Sequence, residues 1–135
     1  MAEYLKLEVV TPSRRVLEGR AHEVRIPGAL GELGVLPGHA PLLTSLGTGE
    51  VTWFDGHTTG RVVVQGGFAE VQPDAVTVLA SVAETVDEID VETARATLAE
   101  AVEKLKTVSA DDFDEIDGQV RLAEARIRAA AGSGA

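Results

Sequence analysis

Apolar and polar residues alternate with a period of two in the first part of the chain. Leu5, Leu7 and Val9 are separated by charged residues, and the same alternation recurs over residues 24–26 and 74–82. This spacing is typical of strands that bury one face. Because turn-forming residues separate the short segments, the pattern predicts a β-sandwich or barrel.

A tight hairpin is indicated in the middle of this region. Residues 51–54 are apolar or β-branched and lead directly into Asp55-Gly56, and the run of valines over residues 61–65 returns from it. Asp-Gly between two such segments is a strong signal for a short β-hairpin. We therefore expect these two segments to be antiparallel neighbours.

The apolar period lengthens after about residue 84. Val91, Ala94, Leu98 and Leu105 are three, four or seven positions apart, as on one face of a helix. Asp90 is predicted to cap the first turn of this helix. Residues 107–110 break the pattern, and Ser109 or Asp111 is expected to cap a second helix.

The second helix shows a narrow apolar seam of the coiled-coil type. The seam consists of Phe113, Ile116, Val120, Ala123, Ile127 and Ala130. The fold class is therefore predicted to be β plus α, an N-terminal β-sandwich or barrel followed by a C-terminal antiparallel two-helix hairpin. The predicted domains are residues 1–86 and 87–131, followed by a flexible tail over residues 132–135.

A hairpin of this size is too small to fold alone. Many of its predicted buried positions are alanine, which removes little apolar area from water. It is therefore expected to dock weakly on the sandwich or on another protein. Two alternatives follow, a hairpin that detaches as a switch and a tail that stays docked.

Residues 31–43 combine closely spaced glycines, two prolines, Glu32 and His39 in an apolar setting. Glycine and proline both disfavour a regular helix. The stretch is predicted to be a tight, bent loop between strands. His39 lies inside it without a neighbouring nucleophile in the sequence, so it is interpreted as a contact residue rather than a catalytic base.

Composition excludes several functions. The chain has no cysteine, which rules out disulfides, thiol catalysis and thiolate metal sites. A net charge of −10 disfavours nucleic acid and anionic lipid and favours a basic protein partner. No stretch approaches the roughly 18 apolar residues that span a bilayer, so membrane association is expected only through a partner.

The side chains that could act in catalysis or bind a metal do not form a catalytic or metal-binding set. The three histidines are scattered, and Gly28, Gly31 and Gly34 match neither the dinucleotide fingerprint nor a P-loop. The acidic run over residues 111–115 lacks the spacing and the glycine of a calcium loop. The sequence therefore predicts no catalytic residue, no metal site and no cofactor.

Several motifs together resemble the epsilon subunit of the F-type ATP synthase. They are residues 31–43, Gly66-Gly67-Phe68, the run over residues 71–80 and Ile89-Asp90. The resemblance implies a non-catalytic rotor subunit of the central stalk of a proton-translocating enzyme, which couples rotation to ATP synthesis. The implied partners are the gamma subunit and the c ring, at the cytoplasmic face of the bacterial plasma membrane.

The resemblance also implies which residues meet gamma and the c ring. They are Glu32, Leu36, Pro37, Gly38, His39, Ala40, Pro41 and Leu42. In bacterial members of the family the hairpin can rise along gamma and obstruct ATP hydrolysis. The hairpin here is accordingly a candidate inhibitor that contacts the alpha and beta subunits.

Some bacterial members bind ATP through a motif that opens the first helix. Its counterpart here is Ile89, Asp90 and Ala94, with Arg126 as a contribution from the second helix, but Thr93 stands where the motif has arginine. Losing that arginine removes a charge-assisted contact to phosphate. ATP binding, and with it a regulatory role for ATP, is therefore expected to be weak or absent.

Two other functional classes remain as alternatives. A free-standing β-sandwich binding module would be a monomer with an aromatic-lined site, although aromatic residues make up only 4% of the chain. An enzyme would require a constellation of acids or histidines, and none is visible. The hypothesis of a rotor subunit instead predicts tight binding to the gamma subunit that is sensitive to substitutions at Leu36 or His39.

Overall fold

The computed structural model describes residues 3–132, which form a β-sandwich followed by two helices. The strands are β1 (Leu5–Val10), β2 (Arg15–Ala21), β3 (Glu23–Gly28), β4 (Gly31–Val35), β5 (Leu42–Ser45), β6 (Thr48–Phe54), β7 (Thr59–Gln72) and β8 (Ala75–Thr85). A short 3-10 turn over Val86–Glu88 leads to α1 (Val91–Leu105) and α2 (Phe113–Ala131). The predicted fold class is confirmed.

The strands follow the order β2-β1-β8-β7-β6-β3-β4, and β5 pairs with β7 outside this path. Only the β1–β8 pair is parallel among these pairings. The long strand β7 pairs with β6 over residues 59–65 and with β5 over residues 68–71. It changes partner at Gly66 and Gly67, which have φ values of +69° and +101° that favour glycine.

The core is aliphatic and lies inside the sandwich. Leu5, Leu7 and Val9 on β1 are fully buried, as are Val76 and Val78 on β8, so the period-two prediction is correct there. Where strand residues alternate in this way, a shift of one position would expose the whole apolar set. The core therefore fixes which residues of each strand face outward.

The predicted hairpin at Asp55-Gly56 joins β6 to β7. The Asp55 carboxylate accepts hydrogen bonds from the backbone N–H groups of Thr58 and His57, each 2.8 Å long. These two donors hold the pKa of Asp55 below its ordinary value. The side chain thus closes the turn that the sequence indicated.

The prediction of a continuous loop over residues 31–43 was wrong at both ends. Residues 31–35 form β4, which pairs with β3, and β5 begins at Leu42. Glycine has a low strand propensity. It is tolerated in β4 because β4 is an edge strand, which pairs only with β3 among the described residues. The connecting loop is confined to residues 36–41.

The two helices form the predicted antiparallel pair, and α2 lies between α1 and the sheet. Asp90 caps α1 as predicted, since its Oδ1 accepts from the Thr93 N–H at 3.1 Å. Neither Ser109 nor Asp111 caps α2, which follows Asp112. The Ser109 hydroxyl instead donates to the Asp112 carboxylate at 3.1 Å.

The buried face of α2 is wider than the predicted seam. Val120 and Ala123 of the seam are buried, whereas Phe113 is exposed. A second set, Ala125 and Ala129, packs on Val63 of the sheet.

The predicted domain boundary at residues 86 and 87 stays a prediction. Within the predicted tail, the Gly132 N–H donates to the Arg128 carbonyl at 2.7 Å, and residues 133–135 lie outside the described residues.

Candidate partner-binding surface

The loop over residues 36–41 is held against the turn between β7 and β8. The Gly38 N–H donates to the Pro73 carbonyl at 2.7 Å, and the His39 N–H donates to the Leu36 carbonyl at 3.1 Å. Gly38 has a φ of +90°, which a residue with a side chain adopts only at a cost. The backbone of the loop is therefore fixed by the sandwich itself.

His39 is half-buried, and its ring makes a hydrogen bond within the loop. The Nδ1 atom lies 2.6 Å from the Ala40 carbonyl oxygen and donates to it. This contact orients the ring along the loop. A general base needs a nucleophile within hydrogen-bond reach, and the described residues give His39 no side-chain partner of that kind.

Glu32 lies on β4 and points a largely exposed carboxylate outward. Its Oε1 is 3.4 Å from Nη1 of Arg25, and Nη2 of the same arginine is 3.8 Å from Oε2 of Glu23. Exposed pairs of this kind contribute little to stability. The carboxylate therefore remains accessible to a cationic partner.

The loop adjoins an apolar surface that spans four strands. Leu43 on β5, Phe68 on β7 and Leu79 on β8 are 67%, 52% and 48% exposed. Phe68 pairs directly with Leu79, which in turn pairs with Val10 of β1, and Leu43 sits diagonally from Phe68. We call this surface the apolar patch and define it as Val10, Pro12, Leu43, Phe68 and Leu79.

A shallow depression runs through the apolar patch. Its walls include Val10, Pro12, Phe68 and Leu79, and its floor includes Gly67. Because Gly67 has no side chain and its φ is +101°, the backbone of β7 comes close to β8 at this point. The glycine therefore forms part of the lining of the depression beside Phe68.

The predicted contacts from Leu36 to Leu42 lie in the loop and at the start of β5, whereas Glu32 lies on β4, and the structure adds exposed apolar residues that the sequence reasoning missed. Leu36, the first residue of the loop, is 58% exposed, and Leu42, which follows the loop, is 39% exposed. Leu43, Phe68 and Leu79 are not among the contacts that the resemblance implies. The signal that could have found them is an apolar residue at an outward strand position, as at Leu79 between the buried Val78 and Ala80.

The four residues that correspond to the ATP-binding motif make contacts within the protein itself. Ile89 packs against the cluster under α2, and Ala94 is buried. The Asp90 carboxylate caps α1, and the Thr93 N–H lowers its pKa. Arg126 binds the Glu84 carboxylate through two hydrogen bonds, of 2.7 and 3.1 Å. Weak or absent ATP binding stays a prediction.

Residues 3–132 contain neither a candidate metal-ligand cluster nor a helix that could span a membrane. No group of three or more histidine or acidic side chains there has the arrangement of a metal site. No helix in that part of the chain combines the length and apolar character needed to cross a bilayer.

Residues 4–86 match the family described as "ATP synthase, Delta/Epsilon chain, beta-sandwich domain". An ATP synthase epsilon chain from Geotalea uraniireducens is 47% identical over 95% of this chain and 93% of its own length. The chain belongs to the ATP synthase delta/epsilon family. Another epsilon chain of this family, from Geobacter metallireducens, is 45% identical over the same shares.

Two solved structures have a similar fold. A chain in the Euglena gracilis mitochondrial ATP synthase superposes with a TM-score of 0.84 at 24% identity, covering 97% of this chain and 83% of that one. A chain in the Tetrahymena thermophila ATP synthase central stalk and c-ring gives 0.64 at 12% identity, covering 93% and 96%. At these identities the likeness supports the fold alone. The family resemblance inferred from the motifs is confirmed.

Proposed function

We propose that this chain is a non-catalytic subunit of the central stalk of an F-type, proton-translocating ATP synthase, where it couples rotation of gamma and the c ring to ATP synthesis. Its near full-length relatives are named ATP synthase epsilon chain. The observation that carries the proposal in this structure is the apolar patch beside a backbone-fixed loop. Large exposed apolar surfaces with polar surroundings mark protein interaction sites.

The partner surface consists of the apolar patch together with the predicted loop contacts. Fully burying a side chain such as Phe68 or Leu43 contributes roughly 1.5–3 kcal/mol. Glu32 and the net charge of −10 favour a partner with basic residues at its rim. The fixed loop adds affinity because little backbone freedom is lost on binding.

The hairpin is a candidate regulator of ATP hydrolysis through contacts with the alpha and beta subunits. Its small apolar contact with the sheet, centred on Val63, Ala125 and Ala129, supports a position that can change. We place the protein at the cytoplasmic face of a bacterial plasma membrane, bound peripherally through the rotor. The names and organisms of its relatives support this placement.

A free-standing binding module is the second candidate function. The depression through the apolar patch is the observation that favours it, since its walls are mostly apolar. The two functions differ in their ligand. A binding module would take a small apolar molecule there, whereas the rotor function requires a protein surface that covers the whole patch.

The test is the affinity of the full chain for an ATP synthase catalytic core that lacks its own epsilon subunit. Phe68→Glu places a charge in the apolar patch and should weaken binding by at least about tenfold, because a buried aromatic contact is lost. Phe54→Glu is the matched control, since Phe54 is also partly exposed but lies outside the patch. Equal affinity for both variants would contradict the assigned surface, and no binding by the wild type would contradict the function.

A further inference from the structure

The sheet face beneath α2 is unusually polar for a docking surface. Val63 is the fully buried apolar residue on this face, and it packs on Ala125 and Ala129. Its cross-strand neighbours are both carboxylates, Glu50 on β6 and Glu84 on β8. The helix therefore lies on a strip in which charged side chains flank a single valine.

Two polar contacts join α2 to this strip. The Nε and Nη2 atoms of Arg126 donate to the two oxygens of Glu84, at 2.7 and 3.1 Å. The Nε2 atom of Gln65 donates to the Gly118 carbonyl at 2.9 Å and also to the Thr48 hydroxyl at 3.0 Å. One contact lies near each end of the docked helix.

The Arg126–Glu84 pair has the geometry of a strong interaction. Two parallel N–H···O contacts between guanidinium and carboxylate are shorter and stronger than neutral hydrogen bonds. Each side chain is 26% exposed, so solvent screens the pair less than it screens an exposed pair. The neighbouring carboxylate of Glu50 is paired with Arg61, which leaves Glu84 to Arg126.

The apolar contribution on the same face is small by comparison. Ala125 and Ala129 each bring a single methyl group to the contact with Val63. Three further residues pack against this cluster while only partly buried, namely Leu122, Val86 and Ile89. Hydrophobic stabilisation scales with the apolar area removed from water. Alanine therefore provides less than the leucine or isoleucine that usually fastens a helix to a sheet.

We infer that a polar clamp, defined as Arg126 with Glu84 and Gln65 with the Gly118 carbonyl, holds the helical hairpin on the sandwich. Docking is then sensitive to salt, and loss of one charged partner releases the hairpin from the sandwich. The clamp also occupies the Arg126 guanidinium, so an external anion binds there only by displacing Glu84. This inference concerns the isolated chain and does not depend on the complex that it joins.

The experiment measures the distance between spin labels in the full chain by pulsed electron paramagnetic resonance. The chain has no cysteine, so labels at Gln72→Cys and Ala99→Cys report only the separation of the sandwich and α1. Both positions are exposed. The wild type should give a single distance at low salt, and a second distance should gain population at 1 M salt.

Glu84→Gln should raise the ratio of undocked to docked hairpin roughly tenfold at low salt, because a charge-assisted contact becomes a neutral one. The matched control is Glu100→Gln, which removes an exposed i,i+4 pair with Lys104 within α1 and should leave the ratio unchanged. The exchanged pair Glu84→Arg with Arg126→Glu should restore docking. A Glu84→Gln ratio equal to that of the control, or a ratio that does not respond to salt, would overturn the inference.

Discussion

Gly67 is the position where the fold and the partner surface depend most directly on one residue. An ideal Cβ built there would lie 2.0 Å from the Leu79 carbonyl oxygen and 2.9 Å from the Ala80 Cα. Both are backbone atoms, so the strands must move apart to accept a methyl group. The φ of +101° adds strain for any residue with a side chain.

The cost of Gly67→Ala follows from these two effects. The positive φ costs roughly 1–3 kcal/mol, and relief of the overlap by a backbone shift costs roughly another 1–3 kcal/mol. The expected loss is therefore about 2–6 kcal/mol, a large share of the roughly 5–15 kcal/mol that stabilises a domain. The shift also moves Phe68 relative to Leu79, so binding to the rotor partner should weaken.

Urea unfolding of the full chain measures this loss as a lower midpoint at constant slope. Gly34→Ala is the control, because no atom lies within 4 Å of its ideal Cβ and its φ is not positive. That variant should keep its stability within about 0.5 kcal/mol. A loss below about 1 kcal/mol for Gly67→Ala would refute the argument that the β7–β8 approach requires glycine.

Three further predictions concern stability and ligands. The Arg14 guanidinium and the Thr85 N–H lower the pKa of Glu88 from its ordinary value of 4.5 to about 2. The ionised Glu88 carboxylate therefore stabilises the fold fully at pH values above 4.5, and this stabilisation is lost as the pH falls towards 2. The difference in urea midpoint between wild type and Glu88→Gln should therefore shrink between pH 7 and pH 2, and a constant difference would contradict the pairing. Val24→Ala in the core should cost about 1.5–3 kcal/mol in the same assay, and a loss below about 0.5 kcal/mol would contradict the assigned packing. Millimolar ATP should leave the melting temperature of the isolated chain within about 1 °C, because Arg126 is engaged and Thr93 replaces the motif arginine, and a rise of several degrees would show binding.

Local patterns predict much of this fold because its strands and helices each bury one regular face. The alternation at Leu5, Leu7 and Val9 and the Asp55-Gly56 turn depend on nearest neighbours, and both are reproduced in the structure. The cap at Asp90 is local in the same sense. Such features need no knowledge of distant parts of the chain.

The features that sequence reasoning missed depend on long-range pairing. Residues 31–35 become a strand because β3 offers hydrogen bonds, which outweighs the low strand propensity of glycine. The change of partner along β7, from β6 to β5, occurs at Gly66 and Gly67 while β8 stays paired on the other edge. The apolar patch requires Val10, Phe68 and Leu79 to become neighbours, and strand order decides that.

The central claim is that this chain couples rotation to ATP synthesis through the sandwich surface. The most direct measurement is proton-driven ATP synthesis by membrane vesicles whose ATP synthase lacks its epsilon subunit, with the full chain added back. The account predicts that wild type and Phe54→Glu restore synthesis and that Phe68→Glu restores it only at much higher concentration. Failure of the wild type to restore synthesis, despite a folded chain and an intact core, would contradict the account.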